Sequence, residues 1–121
     1  MKTEKQEKGK KGEQMAAEYL ISKGYRILET NWRAGKLEVD IIAIDADMLV
    51  FVEVKTRASS AFGEPEVFVD IAKQRHLIRA ANIYIGKNGI DKEVRFDIVS
   101  VILNEGMKSV KHIEDAFKPR W

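Results

Sequence analysis

Two carboxylates and a lysine lie within two short apolar runs of the sequence. Asp40 belongs to the run LEVDIIAI at 37–44, and Glu53 and Lys55 belong to the run FVEVK at 51–55. Both runs are rich in valine, isoleucine or phenylalanine, which predicts β-strands. Carboxylates that converge near a lysine are the residue types that bind a hard divalent cation and activate a water molecule. These two runs are therefore the first candidate site.

The spacing between the two runs predicts a β-hairpin. If residues 46–47 form a two-residue turn, Asp40 lies opposite Glu53 and Glu38 lies opposite Lys55. Opposed side chains in an antiparallel pair have Cβ atoms about 4.5–5.5 Å apart, so two carboxylates in these positions repel each other. We expect both acids to share one strand face, at the edge of the core, with four apolar side chains: Ile42, Ile44, Leu49 and Phe51.

Three arrangements would relieve the repulsion between the two carboxylates. A divalent cation could bridge them, Lys55 could act as their counter-ion, or one carboxyl group could be protonated or turned to solvent. The alternative without any site is a polar hairpin face exposed to water, which is common in antiparallel sheets. The mixture of acids with large apolar side chains favours a metal site in a cleft.

Two helices and three further strands are predicted around the hairpin. Gly24 is expected to end the first helix in the left-handed conformation. Asp70 is expected to cap the start of the second helix, and the run Lys87-Asn88-Gly89 is expected to end it. A loop with Ser, Gly and Pro at 57–66 follows Lys55 closely, which places it to contact a substrate. The predicted elements are a helix at 12–23, strands at 25–33, 37–45 and 48–56, a helix at 70–85, and strands at 93–103 and 108–113. The order α-β-β-β-α-β-β predicts an α/β fold with a mixed central sheet flanked by helices.

Polar residues on the two predicted helices form a second set of candidates. Glu13 is in phase with the apolar stripe of the first helix, where it is either a first-turn acid favoured by the helix dipole or a third acid of the cleft. Gln74 is placed similarly on the second helix, where it can bond backbone groups at a strand end. Lys73, Arg75 and Arg79 make a basic strip that either contacts phosphates or is a solvated helix face.

Composition limits the classes of protein in which these residues could act. The chain of 121 residues is the size of one domain, and its 45% hydrophobic and 33% charged residues are typical of a soluble globular protein. The absence of cysteine excludes disulfides, thiolate metal sites and a cysteine nucleophile. No apolar run approaches the roughly 20 residues of a transmembrane helix, and no apolar signal segment follows the charged N-terminal residues. We therefore expect a cytoplasmic protein without a membrane partner.

The net charge of +2 is unevenly distributed along the chain. Residues 1–11 hold five lysines and two glutamates, a net +3, so the other 110 residues sum to −1. We expect 1–11 to be a disordered basic tail, which either aids solubility or holds nucleic acid loosely, and 12–121 to be a single domain. A body so close to neutral excludes a protein that coats DNA through a uniformly basic surface.

The spacing of Asp40, Glu53 and Lys55 resembles the D-x(n)-E-x-K signature of restriction-endonuclease-like nucleases. Over about 12–117, the chain also resembles the uncharacterised bacterial YraN-like family, in the segments GEQMAAEYLISKGYRILETNWR, EVDIIA, FVEVKTR, FGEPEVFVD, KQRHLIRAA and RFDIV. That family in turn resembles the restriction-endonuclease-like, or PD-(D/E)XK, superfamily, close to archaeal Holliday-junction resolvases. The resemblance implies a restriction-endonuclease-like fold, in which a mixed sheet has helices on both sides.

The resemblance also implies roles for individual residues. Asp40 and Glu53 would hold Mg²⁺ or Mn²⁺, and Lys55 would be the catalytic lysine. Glu13 would match the glutamate that some members of the fold add to the metal site from their N-terminal helix. Gln74 would match a polar helix residue that related nucleases often carry among their catalytic residues.

The function expected from the sequence is metal-dependent hydrolysis of phosphodiester bonds in DNA, with branched or junction DNA as one substrate class. Arg57, Lys73, Arg75 and Arg79 are the expected contacts to the nucleic-acid backbone. A symmetric homodimer would suit an enzyme that cuts two strands. The alternatives are a nucleic-acid-binding module that has the same fold and cuts nothing, and an adaptor protein whose charged hairpin faces solvent.

Overall fold

The computed structural model describes residues 3–58 and 69–119, which form one mixed sheet and two helices. The elements are α1 (Glu4–Ser22), β1 (Arg26–Ala34), β2 (Leu37–Asp45), β3 (Met48–Arg57), α2 (Ile71–Asn88), β4 (Glu93–Asn104) and β5 (Met107–Phe117). The strands lie in the order β1-β2-β3-β4-β5, with β3 and β4 parallel and the other neighbours antiparallel. The predicted order α-β-β-β-α-β-β and the mixed sheet flanked by helices are confirmed.

The signals at three helix ends act as predicted. The carboxylate of Asp70 accepts a hydrogen bond from the backbone N–H of Lys73 at 2.8 Å, which caps the start of α2. Gly89 ends α2 in the left-handed conformation at φ +58°, and Gly24 follows α1 at φ +92°. From residue 59 onward, the predicted loop at 57–66 lies outside the described residues.

The first helix begins at Glu4 rather than Gly12, so residues 4–11, expected to be a disordered tail, are helical. The reason is a capping box. The hydroxyl of Thr3 accepts from the Gln6 N–H at 3.1 Å, and the Gln6 side chain accepts from the Thr3 N–H at 2.9 Å. Glu4 and Glu7 also place negative charge in the first turn, where it complements the helix dipole. The segment whose mixed charges indicated a disordered tail is thus the start of a helix.

Alternate residues of β3 point to opposite faces, so the sheet has a core on each side. Val50 and Val52 are buried in one apolar cluster with Leu20 of α1, here called the α1-side core. Phe51 is buried in a second cluster with Leu77 of α2, the α2-side core. Each of these side chains is at most 1% exposed and contributes about 1.5–3 kcal/mol to stability. The two helices therefore cover opposite faces of the sheet. Within the described residues, neither helix is long and apolar enough to span a bilayer.

Helix α1 lies directly against β3 at Gly12. A Cβ atom built at this position would clash with the side chain of Thr56, so no larger residue fits without a shift of the helix. Thr56 lies three positions after Glu53 on β3. The close approach at Gly12 therefore places α1 over the end of β3 that carries the candidate site.

Candidate metal and nucleic-acid site

The hairpin has the predicted register, but its ladder ends just before the two acids. The last pair in the ladder is Ile41 with Val52. Beyond it, the carboxylate of Asp40 accepts a hydrogen bond from the backbone N–H of Val54 at 2.8 Å. A side-chain oxygen therefore takes the place of a backbone carbonyl of β2 at this point. Asp40 and Glu53 are neighbours, as predicted, but they are not a ladder pair.

The alternation of side chains along β2 is interrupted at Asp40. Val39 and Ile42 are buried in the α2-side core, whereas Ile41 is buried in the α1-side core. Strict alternation would place Val39 and Ile41 on the same face. The neighbouring strand is irregular at the same level, because Asn31 of β1 has φ +51°. This local irregularity decides where Asp40 lies.

Two clefts meet at Glu53. The α1-side cleft has a volume of about 590 Å³ and is lined by Glu4, Lys5, Lys8, Gly9, Glu13, Asp40, Glu53, Val54, Thr56, Arg57 and Ala58. The α2-side cleft has a volume of about 460 Å³ and is lined by Glu53, Lys55, Val69, Asp70 and Lys73. Asp40 thus borders the α1-side cleft and Lys55 borders the α2-side cleft, while Glu53 borders both.

Two expectations about the hairpin face are therefore wrong. Asp40 does not share a face with the four apolar side chains named for it, because those side chains, Ile42, Ile44, Leu49 and Phe51, pack in or against the α2-side core. Glu38 does not pair with Lys55 in the ladder, because the ladder has already ended. Instead, Glu38 pairs with Arg33 of β1, with their side chains 3.5 Å apart.

The carboxyl group of Glu53 is largely enclosed, with 13% of its side chain exposed. Burial, the charge of Asp40 and a hydrogen bond with Asp40 together raise the pKa of Glu53 to about 7, although Lys73 acts in the opposite direction. Near neutral pH Glu53 therefore keeps its proton in a large fraction of the molecules and hydrogen-bonds to Asp40. Protonation is one of the three arrangements that the sequence left open.

Lys73 supplies a counter-ion to this pair. Its Nζ atom lies 3.2 Å from Oε2 of Glu53, and 41% of its side chain is exposed. The sequence placed Lys73 only in a basic strip, since the position of α2 relative to β3 depends on long-range packing. Asp70 was the sequence signal for the direction of Lys73, because the cap at Asp70 fixes the first turn of α2, to which Lys73 belongs.

Glu13 is the third acid near the site, as expected. Burial raises its pKa, the charges of Asp40 and Glu38 raise it further, and a hydrogen bond with Asn31 opposes them. Within 3–58 and 69–119, however, no group of three or more His, Asp or Glu side chains is arranged to hold a metal ion. The available donor set is the pair Asp40 and Glu53. Because Mg²⁺ is commonly bound by one or two carboxylates and keeps several waters, this pair fits Mg²⁺.

The structure leaves three of the predicted site residues away from the acids. The side-chain amide of Gln74 donates to the carbonyl oxygen of Val69 at 2.9 Å, so it bonds a backbone group as its placement suggested. Gln74 and Arg75 line a separate small cavity, and Arg79 is exposed on α2. Arg57, by contrast, lines the α1-side cleft.

A buried ionic network that was not predicted from the sequence lies at the other end of β2. Arg95 of β4 makes two hydrogen bonds of 2.9 Å to Asp97 and one of 2.9 Å to Asp45. Nε2 of His112 lies 2.7 Å from Asp97. Burial alone would raise the pKa of Asp97, but hydrogen bonds from His112, Arg95 and the Asp115 N–H outweigh it and lower that pKa. The i, i+2 spacing of Arg95 and Asp97 on an otherwise apolar strand was the available signal, and it indicates a structural role.

Comparison with known proteins gives the family of the chain. Residues 12–101 match the model of the uncharacterised protein family UPF0102. A UPF0102 protein of Flavobacterium psychrophilum is 50% identical over 109 residues, which cover 90% of this chain and 92% of the relative. The similarity extends to a UPF0102 protein of Thermodesulfovibrio yellowstonii, 45% identical over 92% of this chain and 96% of the relative, and to one of Phocaeicola vulgatus, 44% identical over 96% of both chains. The names of these relatives describe no activity. With a family match over most of its length and relatives this similar from end to end, the chain belongs to the uncharacterised protein family UPF0102.

Proposed function

We propose that the protein hydrolyses phosphodiester bonds in nucleic acid, with DNA as the substrate and Mg²⁺ or Mn²⁺ held by Asp40 and Glu53. The observation that carries the proposal is the pair of neighbouring acids, Asp40 and Glu53, which border one cleft where the β2–β3 ladder ends. Acids whose pKa values are perturbed by burial and by each other, in a cleft, are typical of catalytic or metal-binding sites. The resemblance to restriction-endonuclease-like nucleases supports the same function.

The two carboxyl groups would contribute to metal binding in different ways, Asp40 through its fixed orientation and Glu53 through its dependence on pH. The N–H of Val54 holds the Asp40 carboxylate in a fixed orientation at 2.8 Å. Glu53 must lose its proton before it can act as a ligand, and Lys73 competes for its Oε2 atom, so metal affinity should increase as the pH rises through about 7. A metal bound here would supply Lewis-acid activation of the scissile phosphate and of the attacking water.

In this proposal Lys55 acts on the same reaction from the α2-side cleft. It lies two positions after Glu53 on β3 and lines the α2-side cleft with it. We assign its ammonium group two tasks, to orient the attacking water and to stabilise the negative charge that develops on the phosphate oxygens. Arg57, two positions further along β3, would bind the backbone of the substrate at the α1-side cleft.

A nucleic-acid-binding module that cuts nothing is the second candidate function. The observation that favours it is the ion pair between Lys73 and Glu53, because a protein cation already occupies one side of the acid that a metal needs. Both functions predict binding of nucleic acid, but only the first predicts turnover.

A cleavage assay with a matched pair of variants tests the proposal. Labelled duplex, branched and single-stranded DNA, and RNA, are incubated with the protein and Mg²⁺, Mn²⁺ or EDTA. We expect metal-dependent cleavage that falls by about 10²-fold or more in Lys55→Ala, as is typical when a group that stabilises the transition state is lost. That variant should still bind the metal, because an ammonium group is not a metal ligand. The control is Lys87→Ala, at the exposed far end of α2, which should cut normally. Binding without cleavage under every condition would favour the binding module, and full activity of Lys55→Ala would remove Lys55 from the mechanism.

A further inference from the structure

The first turns of α1 place two lysines at the α1-side cleft. Lys5 and Lys8 line this cleft together with Asp40, Glu53 and Arg57. Because residues three apart are neighbours on a helix surface, the two lysines form one short basic edge. The sequence alone placed both of them in a tail with no fixed relation to the acids.

The position of this basic edge is set by packing further along the same helix. Gly12 lies against Thr56 of β3, and Ala16 and Leu20 are fully buried in the α1-side core. The capping box at Thr3 holds the first turn in helical form. A helix anchored in this way presents Lys5 and Lys8 at defined distances from the acids, whereas a disordered tail would have to be ordered on binding at a cost in entropy.

The distances along α1 fit the spacing of a nucleic-acid backbone. Lys8 and Lys5 precede Glu13 by five and eight residues, which is about 7.5 and 12 Å at the helical rise of 1.5 Å per residue. One strand of duplex DNA carries a phosphate about every 3.4 Å along the axis. The two lysines are therefore about two to four phosphates from a phosphate level with Glu13, which lines the same cleft as Asp40 and Glu53. Glu4 also lines this end of the cleft and offsets part of the positive charge, while Arg57 adds to it.

We propose that Lys5 and Lys8 bind backbone phosphates of the nucleic-acid strand whose reacting phosphate lies at Asp40 and Glu53. This inference rests on the proposed function and adds a substrate-binding element to it. The bound strand follows α1 from the acids toward Glu4, so the N-terminal turns of the helix contribute affinity that does not depend on base sequence. Lys5 and Lys8 touch no reacting atom in this arrangement.

Binding measurements on a charge-deleted variant and a matched control test this inference. The variant is Lys5→Ala with Lys8→Ala, and the control is Lys11→Ala, a lysine of the same helix that does not line the α1-side cleft and borders, together with Lys8, a neighbouring cavity. Fluorescence anisotropy of labelled duplex and branched DNA is recorded in EDTA, which prevents cleavage, at several salt concentrations. We expect the affinity of the double variant to fall by about 10-fold or more at 0.1 M salt, and its log–log salt slope to decrease by about 2, one for each lost phosphate contact. Lys11→Ala should behave as the parent, and replacement of both lysines by arginine should preserve binding.

The possible results separate this inference from the proposed function. If the parent binds and cuts DNA but the double variant binds as well as Lys11→Ala, the role of Lys5 and Lys8 is overturned while the proposed function stands. If the parent neither binds nucleic acid at any salt concentration nor cuts it in the cleavage assay with metal, the proposed function fails and this inference fails with it. Circular dichroism of each variant reports whether α1 is intact. If the variant with arginine at both positions binds DNA and the variant with alanine at both positions does not, the loss of affinity is due to the loss of positive charge.

Discussion

Replacement of Asp40 by asparagine tests the electrostatics of the site without knowledge of the substrate. In the folded protein the pKa of Glu53 is raised from 4.5 to about 7, with burial as the largest cause and the charge of Asp40 as the next. The folded state therefore binds this proton more tightly than the unfolded state. It follows that the contribution of Glu53 to stability is fully present below pH 4.5 and is lost as the pH rises to about 7. At 1.36 kcal/mol for each pH unit, the loss is about 3 kcal/mol at most.

The Asp40→Asn variant removes a charge and keeps an oxygen that can accept the Val54 N–H. Burial of Glu53 is unchanged, so we assign only about 1 kcal/mol of the loss to repulsion by Asp40. Without metal, the variant should therefore be more stable than the parent by about 1 kcal/mol at pH 8, and the difference should shrink at pH 5, where Glu53 is protonated. This outcome is distinctive because most substitutions destabilise a protein.

Urea unfolding of both proteins in EDTA at pH 5 and pH 8, repeated with millimolar Mg²⁺ or Mn²⁺, measures the effect. The parent should gain about 1–3 kcal/mol when the ion is well above its dissociation constant, and the variant should gain much less. Asp47→Asn, the same chemical change at an exposed position in the turn of the same hairpin, is the control. The reasoning is refuted if parental stability changes neither with pH in this range nor with divalent ions. An Asp40→Asn variant that responds to metal as strongly as the parent would exclude Asp40 as a ligand.

Two further substitutions probe how the site is held in place. Gly12→Ala should destabilise the protein by about 1–3 kcal/mol in urea unfolding, because the added methyl group clashes with Thr56, whereas Gly9→Ala, with open space around its Cβ, should be neutral or slightly stabilising. Equal effects at the two glycines would argue against the close approach of α1 to β3. Lys73→Met removes the cation that opposes the rise in the pKa of Glu53, so an NMR titration should place the midpoint of the Glu53 carboxyl above its parental value, while Arg79→Met leaves it unchanged. An unchanged midpoint in Lys73→Met would show that this ion pair does not form in solution.

The elements and the hairpin register were predictable because local signals determine them. The turn at 46–47, the cap at Asp70 and the glycine at 89 each act within one turn of chain, and the structure has all three. The start of α1 was equally local, since Thr3 and Gln6 form its capping box, but the lysines around them indicated a solvated tail instead. A threonine followed three residues later by a glutamine is the pattern of a capping box, and it indicates the observed start of α1.

The arrangement of the site was less predictable because it depends on contacts between distant parts of the chain. The break in alternation at Asp40 lies opposite Asn31 of another strand, and the hairpin sequence carries no sign of it. The ion pair of Lys73 with Glu53 depends on how α2 packs against the sheet. Residue types and spacing could therefore identify the two acids. The face on which each acid lies, the pairing of Glu53 with Lys73 and the raised pKa of Glu53 depend on how the fold packs.

The end of the β2–β3 ladder determines the surroundings of these two acids. If the ladder continued through Asp40 and Glu53, both carboxylates would project from the same face and neither would bond the backbone between the strands. Instead, Asp40 takes the place of a backbone acceptor for Val54, and Glu53 lies between the two clefts. A proton and the ammonium group of Lys73 act on the carboxyl oxygens of Glu53, and in the proposed enzyme a divalent ion would compete with both. Metal affinity in that enzyme should therefore depend on pH near 7 and should be altered by substitutions at Lys73, a residue that binds no metal.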